Sequence, residues 1–560
     1  MCKLPELPEG NKRPMKRCAL LAILIYAGLA SAQVTYERIL NANREPQNWL
    51  TYSGTYFSQR YSTLDRINQG NVKNLALRWV YRPTSLDKME ATPLVADGVL
   101  YTVQGNEVVA LDAATGRSFW TFRYEIPPES NAYLMVCKGL AIAGRTLFWA
   151  TYDGHLIAID AKSGRAIWNK TVFDWREGRQ FNVAPLIIKN MVVLGTADNE
   201  RGANCWVAAF DLKTGNEVWR FWTAPSSPGD PGASTWSDDS YKHGGDPIWV
   251  TGSYDPETNL TYWGTGDPNP GWNGDSRMGD NLYSDSVIAL DADTGKLKWF
   301  YQFTPHDEFD YDSVQVPVLA DIELGGQPRK VMLWANRNGF FYVLDRTTGQ
   351  FLLGKAFVNQ NWNAGFDKSG RPLRSPSLFP KPMGSAFIEP GTQGGTNWYS
   401  PSFSPQTGLL YVSTWDNYSQ YSSKGEAGVW RQDQHYTGLA NSSGPNVASQ
   451  RVRRIPPAFR KGEEGYGAVR AIDPKSGEKK WDFKMVDYTE SGVLSTASYL
   501  VFSGGMEGNF FALDARNGRC LWKVGLGGTV SSGPITYSVD GRQFVAVAAG
   551  GALYAFSLPD

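Results

Sequence analysis

One phrase recurs seven times along this chain and constrains its fold more than any other feature. It reads ALDAATGRSFW at 110–120, AIDAKSGRAIW at 158–168, AFDLKTGNEVW at 209–219, ALDADTGKLKW at 289–299, VLDRTTGQFLL at 343–353, AIDPKSGEKKW at 471–481 and ALDARNGRCLW at 512–522. The pattern is a strand end, a tight turn and the start of a second strand. The aspartate can accept hydrogen bonds from turn amides, and the glycine four residues on supplies the positive φ of a hairpin. A tryptophan stands four residues after that glycine in six copies; the fifth copy has Leu353. A unit of a few strands cannot bury its own faces, so neighbouring units must stack. The repeat aspartates are 48, 51, 80, 54, 128 and 41 residues apart. Periods of about 40–50 residues match four-stranded propeller blades. The gap of 80 leaves room for a loop insertion, and the gap of 128 for a degenerate blade with its own strand signal, TGLLYVSTWD at 407–416. Seven phrases plus that blade predict an all-β, eight-bladed propeller forming one domain over 33–560. Ring closure is expected from NWLTYSGTYFSQRYSTLDRI (48–67) against the C-terminal VAVAAGGALYAFSL.

The N-terminus predicts export. Lys12, Arg13, Lys16 and Arg17 precede an apolar run from Ala19 to Ala30, and Ala30-Ser31-Ala32 reads as a cleavage site, so residues 1–32 form a signal peptide. The run of roughly a dozen apolar residues is too short to span a bilayer, so no stable membrane insertion is expected. Beyond residue 32 the chain carries 50 basic and 53 acidic side chains, which excludes a nucleic-acid partner held by bulk charge. Cys137, Cys205 and Cys520 are too few and too scattered for a disulfide framework, and no Cys-x-x-Cys-His is present to attach a haem.

The stretch HDEFDYDS (306–313) packs four carboxylates among two aromatics. In an extended segment Glu308, Asp310 and Asp312 share one face while Phe309 and Tyr311 share the other. Carboxylates this close repel unless water or a cation offsets them, which leaves a wet acidic loop and a shared ion as the two readings.

The repeat phrase resembles the tryptophan docking motif of quinoprotein alcohol dehydrogenases, eight-bladed propellers that bind pyrroloquinoline quinone (PQQ). Further likeness lies in MEATPLVADGVLYTV, GSYDPETNLTYWGTGDPNPGWNGD, FTPHDEFDYDSV, ANRNGFFYVLDRTTG and GGTNWYSPSFSPQTGLLYV. The resemblance implies a quinone lying flat on Trp249, with a metal ion beside its reactive carbonyl. It implies Glu200, Asp267 and Asp310 as metal ligands, Asp310 as the catalytic base, and Arg337 on the reactive quinone oxygen. Glu90, Lys138, Asn182 and Asn397 match contacts around the quinone rim, Lys138 standing for an arginine. Asp312, two residues beyond the base, resembles the lanthanide-dependent branch of the family. A trivalent ion balances the extra carboxylate better than calcium does, so a lanthanide is favoured over Ca2+. The implied activity is periplasmic oxidation of primary alcohols to aldehydes, with electrons passed to a separate soluble cytochrome c; a homodimer is left open.

Several positions depart from the family pattern. The usual vicinal cysteine pair falls on Ala132 and Tyr133, a rim threonine becomes Asn182, a tryptophan gives way to Glu490, and Ala197-Asp198-Asn199 replaces small residues before Glu200. They keep a second reading open, a propeller without redox activity acting as a binding or assembly scaffold. A scaffold, however, has no need of Glu200, Asp310, Arg337, Asn397 and Trp249 together. Asp307 and Glu308 are expected to be solvated, and His306 to be structural. Insertions at 221–246 and 415–465 are expected to shape the entrance.

Overall fold

The computed structural model describes residues 33–559 except 86, 131–135, 199, 379–385, 423, 427, 433 and 439–464. The predicted signal peptide, Ala132 and Tyr133 lie outside the described residues. Eight sheets of four or more strands form the blades of a β-propeller. In the first, strands Leu94–Ala96, Val99–Gln104, Glu107–Asp112 and Ser118–Arg123 pair antiparallel in chain order. The second to fifth blades repeat this order over 141–171, 186–222, 253–302 and 318–356.

Each phrase joins the third strand of a blade to its fourth. In the second blade Asp160 Oδ1 accepts from the Ser163 amide at 2.7 Å, and the Gly164 amide donates to Asp160 O at 2.9 Å with Gly164 at φ +69°. The Trp120 indole of the preceding blade lies on that turn. Its N–H donates to Ala161 O at 3.1 Å, and a Cβ at Gly164 would come within 2.6 Å of its ring. Trp219 and Trp481 sit the same way on Gly295 and Gly518, donating to Ala292 O and Ala515 O. Leu353, without a donor, rests against Gly477. The outer strand of one blade is thus tied to the turn of the next, which covers the faces a lone blade would expose.

Two expectations about the ring need correction. Residues 407–416 do not make a blade of their own: strand Leu409–Asp416 pairs with Tyr466–Ile472, so it is the second strand of the blade that carries the 471–481 phrase. The chain between those strands makes up part of the long gap. The eighth blade is the closing one, and it contains no phrase. Its outer strand is Ala76–Tyr81, paired with Ala552–Ser557, rather than a strand in 48–67. Within 48–67, Tyr61–Ser62 adds a parallel strand to the seventh blade beside Leu494–Thr496, and Trp49 bridges Val95. Trp79 of the closing strand donates to Ala113 O at 3.2 Å and covers Gly116, completing the series of indole contacts.

The antiparallel order fixes where the loops fall. The start of each first strand, the end of the second, and the start of the third all lie at one end of a blade. The repeat turns lie at the opposite end. Among the described residues no helix is long and apolar enough to cross a membrane.

Candidate active site

The residues singled out in the sequence all fall at the end away from the repeat turns. Glu90, Lys138, Asn182, Trp249, Asp310, Asp312 and Asn397 lie in the segments leading into the first strands of six blades. Glu200, Asp267 and Arg337 lie between second and third strands. Loops from blades far apart in sequence therefore converge at one end of the ring.

Asp267, Asp310 and Asp312 come together, each offering a carboxylate oxygen within 4.8 Å of the others. The Asp267 amide donates to Asp312 Oδ1 at 2.9 Å. Arg337 forks over the other two, Nη1 to Asp312 Oδ2 at 2.6 Å and Nη2 to Asp310 Oδ1 at 3.1 Å, while its Nε donates to Thr392 O. Burial, then Asp312 and Asp310, then Asp285 and Glu200 hold the Asp267 carboxyl well above the usual carboxylate range. Burial also raises Asp310; Arg337 opposes it, and Asp312 and Glu200 add to it. Glu200 is thus within the field of the cluster, on a turn where it adopts φ +58°.

The stretch 306–313 is not a regular strand. His306 and Asp310 have positive φ (53° and 60°), and the carboxylates diverge. Phe309 and Tyr311 do form the expected aromatic base, in a core with Trp334, Phe340 and Trp362. Asp307 and Glu308, expected to be solvated, are buried at 0% and 2% exposure. Asp307 accepts from the Phe309 and Tyr311 amides at 3.0 and 2.8 Å, shaping the turn that presents Asp310. Burial raises its carboxyl to about 6. Glu308 turns away from Asp310, accepting from the Gly274 amide at 2.9 Å and from Arg374 at 2.7 Å. His306 is structural, its Nδ1 lying 2.9 Å from Gly279 O.

A second polar cluster borders Trp249, which is half-buried beside Val250, Trp398 and Tyr399. Lys138 Nζ lies 3.3 Å from the centroid of the Trp398 ring and 5.4 Å from that of Trp249, and it pairs with Glu90 at 2.5 Å. Lys88 pairs with Glu90 at 2.7 Å and with Glu490 at 2.8 Å. Burial opposes ionisation of Glu90, yet the two ammoniums hold its carboxyl down to about 2. Asn182 is tied to this group: Nδ2 donates to Val136 O and its backbone carbonyl accepts from the Lys138 amide at 2.9 Å. Asn397 accepts from the Trp398 amide at 2.8 Å.

Sequence reasoning missed Lys88 and Trp398, whose only signals were their nearness in sequence to Glu90 and Asn397. It also gave no role to Asp198, noted only as a departure. Asp198 Oδ2 accepts from the Gly202 amide at 3.0 Å and from Asn269 Nδ2 at 2.9 Å, tying the Glu200 turn to the Asp267 loop. Asp246 and Asp285 are fully buried, and among the described residues neither carboxylate has a hydrogen-bond partner. Burial raises both well above the usual range.

Residues 49–354 and 367–545 match the PQQ family described as glucose/ethanol/alcohol dehydrogenase, beta-propeller domain. The chain belongs to the PQQ-dependent alcohol dehydrogenase family. Quinohemoprotein alcohol dehydrogenase of Comamonas testosteroni is 37% identical over 533 residues, 91% of this chain and 73% of that one. Quinoprotein alcohol dehydrogenase PedH of Pseudomonas putida is 35% identical over 97% of this chain and 93% of its own. A solved structure, a europium-containing methanol dehydrogenase, superposes with a TM-score of 0.85 at 30% identity, covering 93% of this chain and 100% of that one.

The residues present fit both groups that such a family uses. Three carboxylates within 4.8 Å, balanced by one guanidinium fork, form an all-oxygen donor set suited to a hard cation. The half-buried Trp249 face, with Lys138 Nζ 5.4 Å from its ring centroid and Lys88 on the same Glu90 carboxylate, suits a flat anionic quinone. The raised carboxyls set a sign for stability. In the metal-free protein the folded state holds protons that the unfolded chain releases above its ordinary value of 3.8. Metal-free protein is therefore expected to lose stability as pH rises above about 4, because the native state binds the extra protons. Added metal is expected to flatten that slope; thermal melts across the range, with and without metal, measure it.

Proposed function

We propose that this protein is an exported PQQ-dependent dehydrogenase that oxidises primary alcohols to aldehydes. The observation that carries the reading is the convergence of Asp267, Asp310 and Asp312 with Arg337, within the field of Glu200. Bound PQQ supplies an electrophilic carbonyl carbon that accepts hydride, and a bound metal ion polarises that carbonyl. Glu200, Asp267, Asp310 and Asp312 would hold the metal. Trp249 would form the floor under the quinone, with Lys138 and Lys88 facing its carboxylates. Asp310 accepts the hydroxyl proton of the alcohol as hydride leaves the adjacent carbon. Arg337 keeps the Asp310 carboxylate oriented and places positive charge where negative charge develops.

Four carboxylates around one ion favour a trivalent lanthanide over calcium, because attraction to each ligand grows with ionic charge. The relative crystallised with europium is consistent with that preference. The predicted signal peptide supports a periplasmic location. A separate soluble cytochrome c is the electron acceptor that the family resemblance implies.

Purified protein supplied with PQQ and either a lanthanide or calcium should reduce an artificial dye when given primary alcohols. A lack of quinone absorbance and of turnover with either metal would overturn the proposal and leave the scaffold reading.

A further inference from the structure

The insertion in the sixth blade does not stay over its own sheet. Its described part reaches across to the third and fourth blades and closes on the two turns that carry Glu200 and Asp267. Trp430 Nε1 donates to Arg201 O at 2.8 Å, and its indole stacks on the His243 imidazole, centroids 4.0 Å apart and planes 12° apart. The Tyr436 amide donates to Glu200 O at 2.7 Å. Gly202, at φ +68°, lies so close beneath this cover that a Cβ would meet Trp430 at 3.0 Å and Tyr436 at 3.2 Å. On the other turn, the Trp272 amide donates to Thr437 O at 2.8 Å and Asn273 Nδ2 donates to Gly425 O at 2.6 Å.

Glu200 is a non-glycine residue in left-handed backbone conformation, at φ +58°. Such a residue keeps that conformation only where its surroundings over-determine it. Here the constraint comes from both sides. Asp198 grips the turn from within through Gly202 and Asn269, and the insertion grips it from outside. We propose that the sixth-blade insertion is a clamp that presets Glu200 for the metal, with Trp430 as a positioning residue. The inference rests on the reading of Glu200 and Asp267 as metal ligands. Outer groups that orient ligands commonly govern metal affinity by 10–100-fold.

The test compares unaltered protein with Trp430→Ala and Trp430→Phe. Terbium binding to metal-free protein is followed by luminescence, and dye-linked turnover of PQQ-loaded protein is followed against metal concentration. Trp430→Ala should weaken terbium binding by about 10–100-fold and raise the half-activating metal concentration in step. Turnover at saturating metal should stay within about threefold, since a positioning residue is needed to hold the metal and not to react. Trp430→Phe keeps a stacking ring without the donor and should fall between the two. It carries the test alone if the alanine variant does not fold. Affinity unchanged in folded Trp430 variants would overturn the clamp while leaving the metal site standing. Unaltered protein that binds no terbium would overturn both.

Discussion

Asp310→Asn is expected to lower turnover by about a thousand-fold while quinone absorbance and fold persist, the size of effect that loss of a general base produces. Asparagine keeps the shape of the side chain and one carbonyl oxygen, so packing around the turn changes little. It cannot accept the hydroxyl proton, and its contact with Arg337, now 3.1 Å, loses its charge. Metal and base are coupled here. Without an ion, burial and the neighbouring carboxylates hold Asp310 well above the usual range and favour its protonated form. A cation in the cluster reverses that field and frees the carboxylate to act as a base. The acid limb of activity, where Asp310 takes up its proton, therefore depends on metal occupancy. Single-turnover quinone reduction at saturating metal separates the base role from weakened metal binding. An Asn variant that stays within about tenfold of the unaltered rate would remove Asp310 from the base role, since general-base loss costs 10²-fold or more.

Asp312→Ala should change which metal the protein uses. Asp312 spends Oδ1 on the Asp267 amide and Oδ2 on Arg337 Nη1, yet it sits within 4.8 Å of the other two carboxylates. Removing its charge costs a trivalent ion roughly half as much again as a divalent one, because the Coulomb term scales with ionic charge. The half-activating lanthanide concentration is expected to rise by about 30-fold and that of calcium by about tenfold, in the range seen when the surroundings of a metal are altered. Asp312→Asn keeps the side-chain shape and one of the two acceptor oxygens that now serve the Asp267 amide and Arg337, so it removes the charge with less loss of contact than alanine and should show the same shift. If lanthanide dependence is unchanged in both variants, Asp312 is no ligand, and its role reduces to orienting Arg337 and Asp267.

The course of the 306–313 segment marks the limit of reading charge from sequence. Period-two alternation placed Phe309 and Tyr311 on the core side correctly, since aromatic burial needs no particular partner. The same alternation put Glu308 beside Asp310, and there it failed. Glu308 is drawn to the Gly274 amide and to Arg374, 34 and 66 residues away, and no local pattern reports a partner at such a distance. Asp307 was read as wet because clustered charges usually are; its turn amides instead keep it dry.

By itself the sequence determined the blade and its repeat turn; its count of eight rested on seven phrases plus a blade at 407–416 that is part of the sixth blade, while the eighth is the closing one. Blade and turn depend on local rules: alternating apolar residues, an aspartate that collects turn amides, and a glycine that accepts positive φ. The matched segments also named Asp267, Asp310, Asp312 and Arg337, which the fold brings together. The tertiary structure alone decided which strand closes the ring, that 409–416 belongs to the sixth phrase's blade, and that the long insertion returns over the Glu200 turn. Strand pairing is set by partners far along the chain, and a ladder of backbone hydrogen bonds carries no local signature of the strand it will accept. The antiparallel order of four strands then places the repeat turns at one end of the ring and gathers the carboxylates, arginine and tryptophan at the other.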